Sequence, residues 1–169
     1  VTADRQSLFN SSLLAAQDGL LPDGREGALV IYKTKIKRNG TETWGQMVQW
    51  LPMVAGVLKK ARNSGEISTL EAHLVHQNDR FSFRIGVDDM PQHEPDWFGD
   101  RGKVVGVYAF AKLKDGAIMS EIMSVDQVEQ VRSASRAKDS GPWVQWWGEM
   151  ARKTVLRRLS KRLPTSSDL

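Results

Sequence analysis

The sequence predicts an α+β fold in which a β-hairpin and a small antiparallel sheet pack with helices. The dipeptides Asn39-Gly40 and Asp115-Gly116 each separate two extended runs, which is typical of tight antiparallel hairpins. Apolar residues recur at helical spacing near both ends of the chain and after Pro52. The central strands follow one another without intervening helices, which argues against a doubly wound α/β fold.

The N-terminal part predicts a helix, a hairpin and a second helix. Residues 4–18 predict a short helix whose apolar stripe holds three leucines, Leu8, Leu13 and Leu14. Gly19 occupies the place of a glycine that ends a helix. The hairpin covers residues 28–44, and the stretch after Pro52 predicts a helix that ends near residue 63.

The first strand of this hairpin has a basic face. Lys33, Lys35 and Lys37 alternate with apolar residues, and Arg38 lies at the tip. Three lysines on one strand face repel one another, so a negatively charged partner would explain them. The alternative is a solvated hairpin whose lysines prevent pairing at a sheet edge.

The middle of the chain predicts antiparallel strands around a polar loop. Residues 67–77 and 80–86 predict two strands that are joined by Asn78-Asp79, and residues 86–103 form a loop rich in acidic side chains. The next strand, followed by a short partner after Asp115-Gly116, has an apolar face of small side chains: Val105, Val107, Ala109, Ala111 and Leu113.

Two helices are expected at the C-terminal end. Ser124 and Gln127 form a capping box for a helix over residues 125–136, which turns Val125, Val128 and Val131 inward. The last helix begins at Gly141-Pro142, and its three tryptophans, Trp143, Trp146 and Trp147, are expected in the core. We expect one domain over residues 1–164 and a disordered tail over 165–169.

The composition limits the function classes. The 169 residues contain no cysteine, which removes disulfides and thiolate chemistry and fits a reducing cytoplasm. No apolar run is long enough for a membrane span. Residues 1–100 hold 11 basic and 13 acidic side chains, whereas residues 101–169 hold 13 and 7, so the second part is basic. This asymmetry indicates either a polyanionic partner or a solubilising surface.

Catalytic patterns are weak throughout the sequence. His73 and His76 lie three apart on a predicted strand and therefore face opposite sides, which makes a shared metal ion difficult. The loop carboxylates of residues 88–100 show no regular ligand spacing. A metal-nuclease pattern would need a carboxylate two residues before Lys33, where Ile31 stands. The nucleotide-binding pattern G-x-x-x-x-G-K-[ST] is missing as well.

The final helix holds the best binding candidate. Lys153, Arg157 and Lys161 are spaced i, i+4, i+8, so they form one stripe about 12 Å long. Like charges at this spacing destabilise a helix slightly, and a phosphate backbone beside them would reverse that cost. Val155, Leu156, Leu159 and Leu163 gather on the roughly opposite side, so the helix is both basic and amphipathic.

Several stretches of the chain share a recognisable order and spacing. From Val107 onward they are "VYAFAKLKDG", "EIMSVDQVEQVRS" and "SGPWVQWWGEMARKTVLRRLSKRLP", and upstream they are "VLKKARNSGEI" and "NDRFSFRIG". Together these stretches resemble the RecT family of phage single-strand annealing recombinases. Family chains are longer at both ends, so we expect a core segment here. The stretch "MVQWLPMVAG" replaces a Tyr-Arg-Gly pattern of the relatives.

The resemblance implies a protein that is not an enzyme and that anneals complementary DNA strands in recombination without ATP. It implies binding to single-stranded DNA and to the annealed duplex, and assembly into rings or helical filaments. The expected partners are a phage exonuclease and a host single-strand binding protein in the bacterial cytoplasm, with a phage or prophage gene. No cofactor is expected, apart from Mg²⁺ assisting DNA binding, and the fold would resemble the single-strand annealing core.

The residues expected to neutralise phosphates are all basic side chains of the predicted hairpin, central strand and last two helices. They are Lys33, Lys35, Arg38, Lys112, Lys114, Arg132, Arg136, Lys153, Arg157 and Lys161. Two alternatives remain open from the residues alone. One is a metal-dependent nuclease that uses the acidic loop, and the other is a non-enzymatic module that binds RNA or protein.

Overall fold

The computed structural model describes residues 3–38, 41–135 and 138–164, and only the backbone of residues 36–38, 41 and 42. Within these residues the chain has the predicted α+β fold with antiparallel sheets. The Asn39-Gly40 turn, Arg136 and the tail 165–169 lie outside the described residues. The chain divides into two compact units, Val1–Lys60 and Ala61–Leu169. The single domain over residues 1–164 stays a prediction.

The first unit contains one helix, a hairpin and most of a second helix. The elements are α1 (Arg5–Gln17), β1 (Gly27–Arg38), β2 (Thr41–Pro52) and α2 (Val54–Asn63). The two strands pair antiparallel along their whole length, from Gly27 opposite Pro52 to Arg38 opposite Thr41. The hairpin is therefore longer than residues 28–44, because its second strand continues to Pro52.

Serines, rather than the predicted leucine stripe, attach α1 to the hairpin. The Ser7 hydroxyl accepts from the Val48 amide at 2.9 Å, and the Ser11 hydroxyl donates to the Val48 carbonyl at 2.9 Å. Both serines are buried, whereas Leu8, Leu13 and Leu14 are about half exposed. The predicted helix is present, and its serines face the hairpin because their hydroxyls satisfy backbone groups of β2.

The second unit is built on a three-stranded antiparallel sheet in the order β3-β6-β7. Its elements are β3 (Ile67–His76), β4 (Arg80–Ser82), β5 (Gln92–Glu94), β6 (Val104–Leu113), β7 (Ile118–Ser124), α3 (Val125–Ser133), α4 (Pro142–Gln145) and α5 (Trp147–Ser160). The predicted capping box of α3 is present, with Ser124 and Gln127 bonding each other's backbone amides.

The core of this unit lies between β6 and α5. Val107, Ala109 and Ala111 of β6 are fully buried, as are three α5 residues in the same hydrophobic cluster, Ala151, Val155 and Leu159. Small strand residues let a helix approach a sheet closely. At the start of α5, a Cβ on Gly148 would lie 2.9 Å from Leu74 Cδ1, so this end of the helix also lies close to the sheet.

Three large side chains that the sequence places inside are exposed. Val105 is 47% exposed beside the irregularity in the β3–β6 pairing at Val75 and His76. Val131 is 45% exposed, because it faces a groove and not the core. Trp146 is 65% exposed at the break between α4 and α5, whereas Trp143 is buried as predicted.

The strand predicted over residues 80–86 is also shorter than expected. It ends at Ser82, and it pairs with β5 inside the acidic loop rather than with β3. After Ser82 the chain turns, and the Arg84 guanidinium and amide both bond the Asp88 carboxylate. This local ion pair ends the strand because it folds the backbone back within four residues.

A buried carboxylate joins the loop to the sheet. The Asp79 side chain is fully buried, and Arg101 donates to both of its oxygens at 2.9 and 2.7 Å. The His76 amide and the His93 ring complete the contacts at 2.8 and 2.9 Å. The Arg101 hydrogen bonds, opposed by burial and aided by His76 and His93, hold the pKa of Asp79 far below its ordinary value.

This network predicts acid sensitivity. Because the pKa of Asp79 is lowered on folding, its contribution is complete above the unfolded value near 3.8 and is lost as pH falls below that value. Asp79→Asn leaves the Arg101 charge without its buried partner, and we expect the free energy of unfolding at pH 7 to fall by about 3 kcal/mol. Denaturant titrations at pH 7 and at pH 3 measure both effects.

The matched control is Glu94→Gln, since Glu94 forms a longer and largely exposed pair with Arg80 at 3.7 Å. An exposed pair contributes little, so this variant should unfold like the wild type. Asp79→Asn should also lose less stability between pH 5 and pH 3 than the wild type does. Wild-type stability and an unchanged acid response in Asp79→Asn would contradict the assignment.

Candidate nucleic-acid interface

The basic residues of α5 and its end divide into two groups, and the first group forms ion pairs within the fold. Arg158 and Arg162 contact the same carboxylate, Glu121 of β7, at 2.8 and 3.4 Å. Arg152 pairs with Glu149 one turn earlier in the helix. Arg158 and Arg162 therefore attach the helix to β7, whereas the Arg152 pair lies within the helix.

The second group is the stripe predicted from the sequence. Lys153, Arg157 and Lys161 are all exposed. Among the residues that the structure describes, none of the three has an ion-pair or side-chain hydrogen-bond partner. They share one side of the helix because their spacing of four residues nearly matches its turn. Their charges are therefore available to a ligand.

This stripe forms one wall of an open groove between α3 and α5. The groove has a volume of about 660 Å³. Its lining residues are Met123, Gln127, Gln130, Val131, Ala134, Ser135, Trp143, Met150, Lys153, Thr154, Arg157, Arg158 and Lys161. No acidic side chain occurs among them within the described part of the chain. Three unpaired cations on one wall, beside an Arg158 that is paired with Glu121, give the groove a positive potential.

The remaining sides of the groove are neutral. Gln127 and Gln130 of α3 provide amide groups, which donate and accept hydrogen bonds without a net charge. Met123, Trp143 and Met150 supply the apolar lining. A ligand that is anionic along one side and neutral on the other, such as a nucleic-acid strand, matches this division.

Three other predicted residues of this unit lie outside the groove. Lys112 is exposed on β6, but it shares the sheet face of Tyr108 and Phe110, opposite to the face that α5 covers. Lys114 follows the end of β6 and is exposed. Arg132 donates to the Lys138 carbonyl at 2.8 Å and contacts Glu129, so its charge is engaged inside the fold. The structure does not bring these three to the α5 stripe.

The hairpin residues belong to the first unit. Lys33 and Lys35 are both exposed on β1, where their cross-strand neighbours are Gln46 and Trp44. Trp44 is 72% exposed, so an aromatic ring and the lysines share one solvent-facing surface. The side chain of predicted Arg38 lies outside the described part of the hairpin, as does the whole of Arg136.

The sequence analysis missed part of the groove. Arg158 lines it in addition to pairing with Glu121, and Gln127 and Gln130 form the facing wall. The sequence predicts Gln127 only as part of the helix cap and not as a residue of the groove. The doublet Arg157-Arg158 was the available signal for the fourth cation, but the wall on α3 depends on a contact that no local pattern reveals.

Other functional classes receive no support from the part of the chain that the structure describes. No grouping of three or more histidine, aspartate or glutamate side chains suited to a metal ion occurs among those residues. Among the described helices, none combines the length and the apolar character that crossing a membrane requires.

Comparison with known proteins identifies the family. The model of the RecT family matches residues 1–168. The protein RecT of Escherichia coli (strain K12) is 39% identical over 168 residues, which cover 98% of this chain and 61% of that relative. The chain thus spans about three fifths of the length of the relative that it matches. A match over nearly all of its residues shows that the chain belongs to the RecT family.

Proposed function

We propose that this chain binds single-stranded DNA and anneals complementary strands during recombination, without ATP. The observation that carries the proposal is the set of three unpaired cations along a groove without acidic lining residues among those described. Membership in the RecT family supports it, because annealing recombinases are the class that the sequence motifs resemble. The activity of the longer relative is extended here to a chain that covers part of its length.

The groove suggests how annealing proceeds. Lys153, Arg157 and Lys161 bind phosphates of the first strand, and this contact releases counterions and supplies affinity without regard to sequence. Contacts to phosphates position a strand but do not read it. The edges of the bases therefore stay free to pair with a second strand, and Watson–Crick pairing provides the specificity.

No covalent bond is made or broken in this process, so the protein acts as a scaffold and not as a chemical catalyst. Lys33 and Lys35 add positive charge on the hairpin, where they hold the same strand or its complement. We extend the proposal to assembly as a ring or helical filament and to work beside an exonuclease and a single-strand binding protein. Mg²⁺ would assist only by screening the phosphates.

The first test removes the α5 stripe. Lys153→Ala, Arg157→Ala and Lys161→Ala together should weaken binding of a single-stranded oligonucleotide. The slope of log affinity against log salt concentration should fall by about 2, because each lost phosphate contact removes about 0.7 for single strands. Fluorescence anisotropy across a series of salt concentrations measures the affinity and the slope together.

The control removes the same formal charge elsewhere. Arg5, Arg80 and Lys103 are exposed and do not line the groove. Their triple alanine variant should keep nearly the wild-type salt slope. If the two triple variants bind alike while both unfold like the wild type, the groove is not the DNA site.

The hairpin lysines give a second test. Lys33→Ala with Lys35→Ala should slow annealing of two complementary oligonucleotides, with a milder effect on binding of one strand than the α5 variant shows. The reason is that these lysines add charge but lie on a hairpin surface and not in a groove. Stopped-flow measurement of annealing between labelled strands gives the rate, and an unaltered rate would count against a role for the hairpin.

A further inference from the structure

A second and smaller cavity lies beside α5. It has a volume of about 260 Å³ and is lined by residues of β3, of β6, of the loop over residues 83–103 and of α5. The α5 residue is Arg152, which immediately precedes Lys153 of the groove. Two arginines, three histidines and one tryptophan lie in its wall. Neither the sequence motifs nor the groove accounts for this combination.

Trp97 is the most unusual member of the wall. Its side chain is 68% exposed, although burial of an indole is strongly favourable. The Arg101 guanidinium lies over the ring, with Cζ 5.0 Å from the ring centroid. A cation on one side of an aromatic ring forms a cation–π contact. One side of the indole is thus supported from within the protein while much of the side chain faces solvent.

Contacts inside the protein fix the position of Arg101 and Trp97. Arg101 is held by both oxygens of the fully buried Asp79 carboxylate. A buried ion pair adds little net stability compared with apolar packing, so its value here is the fixed position of the guanidinium. The loop is fixed too, because the Asp96 carboxylate accepts from the Phe98 and Gly99 amides at 3.1 and 3.0 Å.

A Cβ on residue 99 would lie 2.3 Å from the Asp96 carboxylate, so this carboxylate lies directly against the turn. A buried carboxylate, an arginine and a hydrogen-bonded turn thus hold one indole in the wall of the cavity. Such an arrangement is preorganised for a flat partner, because the cost of ordering the loop is met when the protein folds.

We propose that this cavity is a nucleobase site, in which one base of a bound single strand stacks on Trp97. Stacking on aromatic side chains, with arginine adding a cation–π contribution, is how proteins hold single-stranded bases without reading them. The volume lies just below that of ordinary small-molecule pockets, which suits one base and not a peptide segment.

Polar side chains also line the cavity. The His73 ring and the Glu71 carboxylate contact each other at 2.9 Å and both line the cavity. These two groups bond each other, and Arg152 is paired with Glu149, so stacking on Trp97 is the contact that holds the base. Arg152 lines the cavity and Lys153 lines the groove, so the two sites lie on different sides of α5.

The inference rests on the proposed function, because the ligand is the same single strand. The groove contacts phosphates, and the cavity adds one contact with a base. The two kinds of contact differ in a measurable way. An oligonucleotide of abasic sites keeps every phosphate and loses every base, so it engages the groove and leaves the cavity empty.

The experiment compares two probes of equal length, oligodeoxythymidylate and an abasic oligonucleotide, by fluorescence anisotropy at one salt concentration. We expect Trp97→Ala to bind oligodeoxythymidylate about 5- to 10-fold more weakly than the wild type. Its affinity for the abasic probe should be unchanged. Trp97→Phe keeps a ring and should retain most of the affinity for oligodeoxythymidylate.

The control is Trp146→Ala, since Trp146 is similarly exposed but does not line the cavity. It should bind both probes like the wild type. A strand with a single 2-aminopurine gives a second readout, because its fluorescence is quenched by stacking and should recover in Trp97→Ala. Equal weakening toward both probes, or no weakening, would overturn the nucleobase site.

Other outcomes would contradict the proposed annealing function itself. If the wild type binds neither probe, or if the α5 triple variant binds both as tightly as the wild type, the groove assignment fails whatever Trp97 does. If Trp97→Ala changes only the size of the assembly in sedimentation, the surface contacts a second copy and the nucleobase site is overturned.

Discussion

The close packing of α5 against β6 is the constraint on which the rest of the second unit depends. Val107, Ala109 and Ala111 present a small, fully buried surface, and only the apolar side of α5 can approach it. Once Val155 and Leu159 face the sheet, helical geometry directs Lys153, Arg157 and Lys161 away from it. The packing of the core thus forms the groove and also directs its cations, so no additional contact is needed to orient them.

Ion pairing then separates the cations that hold the fold from those that are left for a ligand. Glu121 of β7 takes both Arg158 and Arg162, and Glu149 takes Arg152. These pairs are partly exposed, so each contributes less than about 1 kcal/mol, and the two pairs of Glu121 help to orient the helix. The helix gains its stability from apolar contacts and keeps its remaining charge for a polyanion.

The sequence predicted elements whose signals are local, and it failed where a contact joins distant segments. The capping box at Ser124 and the i, i+4, i+8 stripe of α5 are local, and both are present. The leucine spacing predicted α1 correctly, but it did not reveal that buried serines attach this helix to β2. The pairing of Asp79 with Arg101 spans a loop, so the nucleobase cavity was invisible in the sequence.

The central claim is that the protein holds the backbone of a single strand and leaves its base edges free. Chemical footprinting of a bound single strand tests this most directly, with hydroxyl radicals probing the sugars and dimethyl sulfate probing the pairing edges of adenine and cytosine. The account predicts protection of the backbone with nearly unchanged reactivity of the pairing edges. Protection of those edges, or an unprotected backbone in a strand that is fully bound, would contradict it.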